Sequence, residues 1–406
     1  MDALFLHPNF PGQFKHIAAA LAREPETRVW ALGDQTQSSA DRTPPGVRLL
    51  QYPGIPPAPE ATHPLARNFE QAVRRAEQAI QALTQYKRQG LEPDVIVAHP
   101  GWGDAFFVRD YFPGAKVVGL FEYYYRAHGA DVGFDTEFPA QFSDIFRLHA
   151  ANATQLLALE SCDVALCSTA WQKSRFPDAY QSRLQVQHEG IDTAALAPDA
   201  TARITLPDGT TLQQGDEVVT YVSRSLEPYR GFHVFLRALP ALLAARPHCH
   251  VVVVGSEGAS YGPHPPQGGS WKDHYLGELG QPLDASRVHF TGALPYEQYV
   301  RVLQISRVHL YLTYPFILSW SLIEAMSVGC TIVASDTAPV QEVLQDGVNA
   351  RLFPFKDHRT LAALAAQALA QPAAHAFLGR AARATARQRF DFDTLTWPAY
   401  RALLQP

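Results

Sequence analysis

The order of apolar and polar positions along the chain predicts alternating strands and helices. Short apolar runs that are typical of buried strands alternate with longer amphipathic segments, such as residues 65–88 and 232–245. The predicted strands are residues 3–6, 29–32, 47–51, 95–98, 116–120, 164–168, 218–222, 250–254, 288–292, 308–312 and 331–334. Helices are also predicted over residues 104–112 and 142–161. This alternation predicts βαβ units, and therefore an α/β protein with parallel sheets.

Residues 311–353 carry the clearest candidate site. A predicted strand leads into a loop with Pro315 and Ser319, then into a helix over 321–328 that Gly329 ends, and then into the strand 331–334. In an open α/β sheet, ligands bind in the crevice outside the carboxyl ends of the strands. The first turn of the helix offers free N–H groups to an anion such as a phosphate.

The same stretch resembles the donor-site signature of glycosyltransferase family 4. The matching positions are Glu324-Ala325-Met326, Gly329, Val333-Ala334-Ser335 and Glu342-Val343. In that family the first Glu of an E-x7-E pair contacts the donor sugar and the second contacts the ribose. Here Phe316 takes the first position, with Leu318 as the apolar position after it, and the resemblance implies the ribose role for Glu324. The alternative for Glu324 is a capping box with Ser321.

Residues 223–231 are similar to the family's G-R-L-x-x-x-K-G motif. The resemblance implies that Arg224 and Arg230 neutralise the donor diphosphate, and guanidinium groups bind phosphate through a bidentate fork. Gly12, in the loop after the first strand, matches the position where backbone N–H groups approach the donor phosphates, although a plain turn is the alternative. The expected donor-binding residues are Arg224, Arg230, Glu324, Ser319, Leu318 and Gly12.

Residues 121–138 interrupt the strand–helix pattern and form a candidate binding loop, because aromatic and charged residues follow a predicted strand. The alternative is a packed loop whose aromatic rings fill a local core. Glu122 stands where the family has a His near the transferred sugar, and His99 is close by. The expected catalytic residues are Glu122 and His99, and the expected acceptor- or sugar-binding residues are Tyr125, Arg126, His128, Asp131 and Asp135.

The resemblance implies the GT-B fold, in which two Rossmann-like domains face a cleft. Residues 188–198 are similar to the motif that closes the first domain in the family. We therefore expect an acceptor-side domain over 1–190 and a donor-side domain over 191–385. We expect the C-terminal helix, 386–406, to cross back to the first domain.

The implied function is transfer of a sugar from a nucleotide-diphosphate sugar to an acceptor, with retention of anomeric configuration. The family usually needs no metal, so we expect no metal and no cofactor besides the donor substrate. A sugar-nucleotide epimerase of the same fold and a non-catalytic nucleotide-sugar-binding protein are the alternatives. Release of a nucleoside diphosphate, an epimerised donor, or binding alone would separate the three.

Composition narrows the class of protein further. The 406 residues carry a formal net charge of −5, whereas a nucleic-acid-binding protein is usually basic. We therefore expect no nucleic acid among the partners. Four cysteines without a C-x-x-C pair predict reduced thiols and a cytoplasmic location. We expect no transmembrane segment, and peripheral contact with a membrane stays open. The expected partners are a nucleotide sugar and an acceptor that is a glycan, a lipid-linked molecule or a small molecule.

Overall fold

The computed structural model describes residues 1–405 and divides them into two units. The first is Met1–Gly190 together with the chain from Phe392 onwards, and the second is Ile191–Asp391. The last helix of the second unit, Pro372–Phe390, runs unbroken past residue 385, so this unit ends at Asp391.

Seven parallel strands form the sheet of the first unit. The strands are β1 (Asp2–Leu6), β2 (Arg28–Asp34), β3 (Val47–Tyr52), β4 (Val95–Ala98), β5 (Lys116–Leu120), β6 (Val164–Cys167) and β7 (Leu184–Val186). The helices are α1 (Lys15–Leu21), α2 (Arg67–Lys87), α3 (Val108–Tyr111), α4 (Phe142–Ala151), α5 (Ala153–Ser161), α6 (Ala170–Arg175) and α7 (Asp178–Gln181).

The second unit has a six-stranded parallel sheet and a small antiparallel hairpin. The hairpin is β8 (Arg203–Thr205) and β9 (Thr211–Gln213). The sheet strands are β10 (Val218–Ser225), β11 (His250–Ser256), β12 (Val288–Gly292), β13 (Val308–Tyr311), β14 (Thr331–Ser335) and β15 (Arg351–Phe353). The helices are α8 (Phe232–Ala245), α9 (Trp271–Glu278), α10 (Tyr296–Ile305), α11 (Trp320–Val328), α12 (Ala338–Gln341), α13 (His358–Ala370) and α14 (Pro372–Phe390).

After α14 the chain rejoins the first unit through α15 (Trp397–Leu403). Tyr400 and Leu404 are buried in the same core cluster as Phe5 and Phe14, on the α1 side of the sheet. The opposite face of that sheet packs a second cluster, to which Leu4 and Leu6 contribute. Both faces of the sheet are therefore covered, which explains the continuous apolar runs of its strands.

The strand orders place a topological switch point in each unit. The first sheet has the order β3-β2-β1-β4-β5-β6-β7, so the direction of winding reverses between β1 and β4. The second has the order β12-β11-β10-β13-β14-β15 and reverses between β10 and β13. Ligands of doubly wound sheets bind at the carboxyl ends of the strands at this point.

Two helices differ from the sequence prediction. The helix expected over 104–112 is only α3, because the preceding residues form turns that bury the Asp104 side chain. The helix expected over 142–161 is split at Asn152, whose side-chain amide accepts from the Tyr125 N–H at 2.8 Å and donates to the Tyr125 carbonyl at 2.9 Å.

Among residues 1–405 no single helix combines the length and the apolar character needed to cross a membrane. The bent pair α13 and α14 passes that test by length and composition only.

Candidate functional site

The switch point of the second unit is surrounded by the loops that follow β10, β11 and β13. These loops carry Arg230, Tyr261 and Phe316, respectively. The Arg230 guanidinium carbon lies 5.0 Å from the centre of the Tyr261 ring and 5.9 Å from that of Phe316. The two rings are themselves 5.1 Å apart. One cation and two aromatic rings thus meet where the fold places its crevice.

Arg230 is buried, and the protein holds its guanidinium in place. Its Nη1 donates to Thr313 Oγ1 at 2.8 Å and to the Ile317 carbonyl at 2.9 Å, both in the loop between β13 and α11. Burial by itself lowers the pKa of Arg230, but the phenols of Tyr311 and Tyr261 and the carboxyl of Glu227 raise it above the ordinary value. Arg230 is therefore a permanent cation. Arg224, expected as its partner, has an exposed side chain.

Glu227 anchors the loop that brings Tyr261 to Arg230. Its fully buried carboxylate accepts the backbone N–H groups of Ser260, Tyr261 and Gly262 at 2.9–3.2 Å. Further along, Trp271 Nε1 donates to the Pro263 carbonyl at 2.8 Å. Residues 258–280, which include α9, are thus held by Glu227 at their start and by the Trp271 hydrogen bond to Pro263. Glu227 was not among the residues predicted from the sequence. The position of Glu227 between Arg224 and Arg230 was the only indication of its role.

Phe316 is buried in an aromatic cluster. Its ring centre lies 5.5 Å from that of Tyr229 and 5.1 Å from that of Tyr261, and both pairs are close to perpendicular or steeply tilted. The ring therefore closes one side of the space around Arg230.

The start of α11 lies directly after this cluster. Ser319 is the N-cap, and its hydroxyl accepts from the Ser321 N–H at 3.2 Å. The Ser319 N–H donates to the Tyr311 hydroxyl at 2.9 Å. Leu318 is half-buried and packs against the core of the unit. Leu318 and Ser319 directly follow Ile317, whose carbonyl accepts from Arg230. Their role in donor binding stays a prediction.

Glu324 is one of the buried carboxylates of the second unit. It accepts from the Tyr296 hydroxyl at 2.8 Å and from the Tyr299 hydroxyl, both on α10. Burial and then the nearby Glu324 charge raise the pKa of both phenols, so they stay hydrogen-bond donors. The capping-box alternative is wrong, because Ser319 is the N-cap and Ser321 already lies in the first turn of α11.

The switch point of the first unit gathers His7, Gln13, His99 and Glu122. His99 Nε2 lies 3.3 Å from Glu122 Oε2, and Gln13 Nε2 donates to Glu122 Oε1 at 2.6 Å. Burial alone would raise the pKa of Glu122, but the hydrogen bonds from His99 and Gln13 and the neighbouring imidazoles lower it below its ordinary value. Glu122 is therefore an ionised group. The sequence analysis named His99 and Glu122 but missed His7 and Gln13, which only the β1 loop could have suggested.

Gly12 lies in the same loop, at φ +47°. A Cβ at this position would stand 2.5 Å from His7 Nε2, so both the backbone and the close approach to the imidazole require glycine. The close approach to His7 therefore explains the glycine at position 12 also if the loop is a plain turn.

Residues 123–138 pack closely and spread the expected acceptor residues over different environments. His128 is exposed, whereas Arg126 is half-buried and donates through Nε to the Arg175 carbonyl at 2.6 Å. Asp131 is buried and accepts from the Tyr123 hydroxyl at 2.7 Å, and the buried Asp135 accepts from the Glu137 N–H. The two aspartates hold the loop together, while Tyr125 is half-buried with its backbone tied to Asn152.

Asp104 is a buried carboxyl next to this site that the sequence did not reveal. Its Oδ2 accepts from the Tyr52 hydroxyl at 3.1 Å, and its Oδ1 lies 3.6 Å from Arg75 Nε. Burial raises the pKa of Asp104 to about 7, although Arg75 and Tyr52 oppose the shift.

Comparison with known proteins assigns both units to glycosyltransferases. The description "Glycosyl transferase family 4 group" matches residues 25–196, and "Glycosyl transferases group 1" matches residues 203–385. A phosphatidyl-myo-inositol mannosyltransferase of Mycolicibacterium smegmatis is 26% identical over 288 residues, which cover 62% of this chain and 69% of the relative.

Solved structures match the fold over the whole chain. The HepE protein of Anabaena, in complex with UDP and glucose, is 18% identical with a TM-score of 0.67 and full coverage of both chains. A sucrose-phosphate synthase of Thermosynechococcus elongatus is 17% identical with a TM-score of 0.70, at 99% coverage of each chain. The expected GT-B fold is confirmed, and the chain belongs to the family 4, group 1 glycosyltransferases.

Proposed function

We propose that this glycosyltransferase moves a sugar from a nucleotide-diphosphate sugar to an acceptor with retention of anomeric configuration, and that it uses no metal. The observation that carries the proposal is the buried, permanently charged Arg230 at the switch point of the second unit, next to the start of α11. A glycosyl donor leaves a diphosphate, which gains negative charge as the bond breaks. A fixed cation is the group that such a leaving group requires.

The surroundings of Arg230 strengthen this electrostatic effect. Tyr261 and Phe316 keep water away from the guanidinium, and charges attract each other more strongly where water is excluded. The first turn of α11 adds the positive end of the helix dipole. HepE of Anabaena binds UDP, glucose and UDP-glucose, which supports a nucleoside-diphosphate hexose as donor here.

The other donor-side residues take subsidiary roles in the proposal. Glu324 binds the ribose hydroxyls in this proposal. Leu318 and Ser319 line the donor pocket, and Arg224 is an exposed second cation. Gly12 stays a proposed site residue of the first unit, where it allows the close approach of the loop to His7.

The first unit holds the acceptor side. Glu122 and His99 are its catalytic groups in this proposal, and Tyr125, Arg126 and His128 meet the acceptor. Asp131 and Asp135 act through the loop that they hold. The acceptor is a glycan, a lipid-linked molecule or a small molecule. The four buried, free cysteines support a reducing cytoplasmic location.

Calorimetric titration with UDP and GDP tests the central assignment. Arg230→Lys keeps the charge but loses the fork, and charge-assisted hydrogen bonds contribute about 1.5–3 kcal/mol, so nucleotide affinity should fall about tenfold or more. Arg237→Lys, at a half-buried guanidinium paired with Glu278, is the matched control. Equal affinity of the Arg230 variant and the parent would refute the assignment. Incubation with nucleotide sugars then separates transfer from epimerisation and from binding alone.

A further inference from the structure

A chain of hydrogen bonds fixes the orientation of the Glu122 carboxylate. The Asn9 N–H donates to His7 Nδ1 at 2.9 Å, so the His7 proton lies on Nε2 and is donated to Gln13 Oε1 at 2.9 Å. The Gln13 amide N–H then donates to Glu122 Oε1 at 2.6 Å. These contacts place the Gln13 amide nitrogen, not its oxygen, against Glu122.

The end of this chain fixes the tautomer of His99. Glu122 is ionised and can only accept, so its Oε2 takes the proton on His99 Nε2 at 3.3 Å. In the tautomer with its proton on Nε2, the His99 imidazole carries a lone pair on Nδ1. A carboxylate–imidazole pair of this kind leaves the second ring nitrogen ready to accept a proton or a hydrogen bond from another molecule.

His99 Nδ1 is buried and has no hydrogen-bond partner, and the same is true of Gln155 Oε1. Both side chains are more than nine-tenths buried, at 4% and 7% exposure. They border on Gly101, where a Cβ would stand 3.1 Å from Gln155 Nε2 and 3.6 Å from His99 Nδ1. Buried polar atoms almost always have partners, so two side chains that meet at one glycine and each carry an unpartnered polar atom indicate a place for a polar ligand.

Trp102, the neighbour of Gly101, supplies an apolar platform at the same place. Its side chain is 49% exposed, and its ring lies 6.3 Å from the His99 ring with 32° between the planes. An exposed tryptophan beside buried acceptor and amide groups suits a ring that is apolar on one face and bears hydroxyls at its edge.

We propose that His99, Gln155 and Trp102 form a subsite for the sugar ring of the acceptor. One hydroxyl of the sugar donates to His99 Nδ1, and a neighbouring hydroxyl donates to Gln155 Oε1, while the apolar face of the ring packs on Trp102. Glu122, Gln13 and His7 are positioning residues that keep the Nδ1 lone pair available. The assignment of this sugar to the acceptor rests on the proposed function, whereas sugar binding at this place is independent of transfer.

The orphaned Gln155 oxygen permits an unusually clear test. A buried acceptor without a partner costs stability, so Gln155→Leu should raise Tm in the absence of sugar. The same change should weaken binding of methyl α-glucopyranoside and methyl α-mannopyranoside about fivefold or more, as measured by ligand-observed NMR. A purely structural Gln155 would lower Tm and leave sugar binding alone, and that result would overturn the proposal.

Two further variants probe the other walls of the subsite. Gly101→Ala should crowd the Nδ1 edge and abolish the NMR effect, while Gly114→Ala in the same unit, with open space around it, is the matched control. Trp102→Ala should also weaken binding, whereas Phe142→Ala, a more exposed aromatic residue of the unit, should not. UDP binding should be unchanged in all four, which separates this proposal from the donor-site assignment.

Nitrogen-15 NMR of the histidine side chains tests the positioning chain. The parent should show His99 with a protonated Nε2 and an unprotonated Nδ1, and the Nδ1 signal should move on addition of the methyl glycosides. Glu122→Gln should leave His99 in a mixture of tautomers. A parent protein with no saturable sugar effect, or with the opposite tautomer, would refute the subsite whatever the fate of the transfer reaction.

Discussion

Replacement of Asp104 by Asn should change how the stability of the protein depends on pH. Asp104 is buried in the first unit, hydrogen-bonded to Tyr52 and 3.6 Å from Arg75 Nε. Burial raises the pKa of its carboxyl to about 7 in the folded protein. In the unfolded chain the Asp104 carboxyl has its ordinary pKa of ~3.9.

The sign of the effect follows from this difference. Between these two pKa values the folded state binds the proton and the unfolded state does not, so stability falls as pH rises. The favourable contribution is complete below about pH 4 and has been lost once the pH exceeds 7. From pH 5 to pH 8 the loss amounts to roughly 2.5 kcal/mol, and over the full range to roughly 4 kcal/mol.

Urea denaturation at pH 5, 6, 7 and 8 measures the effect as a difference between variant and parent. The Asn variant has no carboxyl to ionise, so its free energy of unfolding should gain on the parent by roughly 2.5 kcal/mol across this range. The free energy of unfolding of the variant at a single pH is a poorer measure, because the substitution also removes the carboxyl that faces the Arg75 charge. Asp110→Asn, at an exposed position, controls for the loss of one negative charge. Parallel curves for the Asp104 variant and the parent would refute the reasoning.

Three other predictions follow from the second unit. Glu324→Gln should lower nucleotide affinity about tenfold and also lower Tm, because the amide cannot accept as strongly from Tyr296 and Tyr299; calorimetry and thermal unfolding measure the two effects, and Tyr296→Phe is the control for loss of one phenol. Glu227→Gln should loosen the loop around Tyr261, which limited proteolysis between 257 and 270 would detect; protection equal to the parent would contradict the anchoring role. Phe316→Glu should not raise activity, because a carboxylate there would pair with Arg230 and compete with the diphosphate; higher turnover than the parent would contradict this account.

Local patterns predicted the architecture because most strands of the two parallel sheets are short apolar runs and each unit repeats the strand–helix alternation. The same reasoning failed where a side chain from a distant segment decides the local structure. Asn152 splits a continuous helical pattern because it bonds to the backbone of Tyr125. The sequence shows Asn152 as an ordinary helix position, since its partner is 27 residues away.

The candidate sites show the same division. The resemblance to the family's motifs suggested Arg230, Glu324 and Glu122, with His99 close by, because each motif places a particular residue type near the end of a predicted strand. Motif spacing could not show that Arg224 is exposed while Arg230 is buried, because burial depends on Tyr261 and Phe316 from other loops. It also could not identify Glu227 or Gln13, whose roles consist entirely of contacts with other segments.

Both units place a carboxylate beside the group that we expect to meet the substrate. In the second unit, Glu227 holds the loop that presses Tyr261 against Arg230. In the first unit, Glu122 holds the proton of His99 on Nε2. Neither carboxylate needs to touch the reacting atoms to matter, because a cation or a lone pair stabilises charge only if its direction is fixed before the substrate arrives. Substitution of either carboxylate by the matching amide should therefore affect orientation more than charge, and the first sign should be lost order in the loop or the imidazole rather than lost folding.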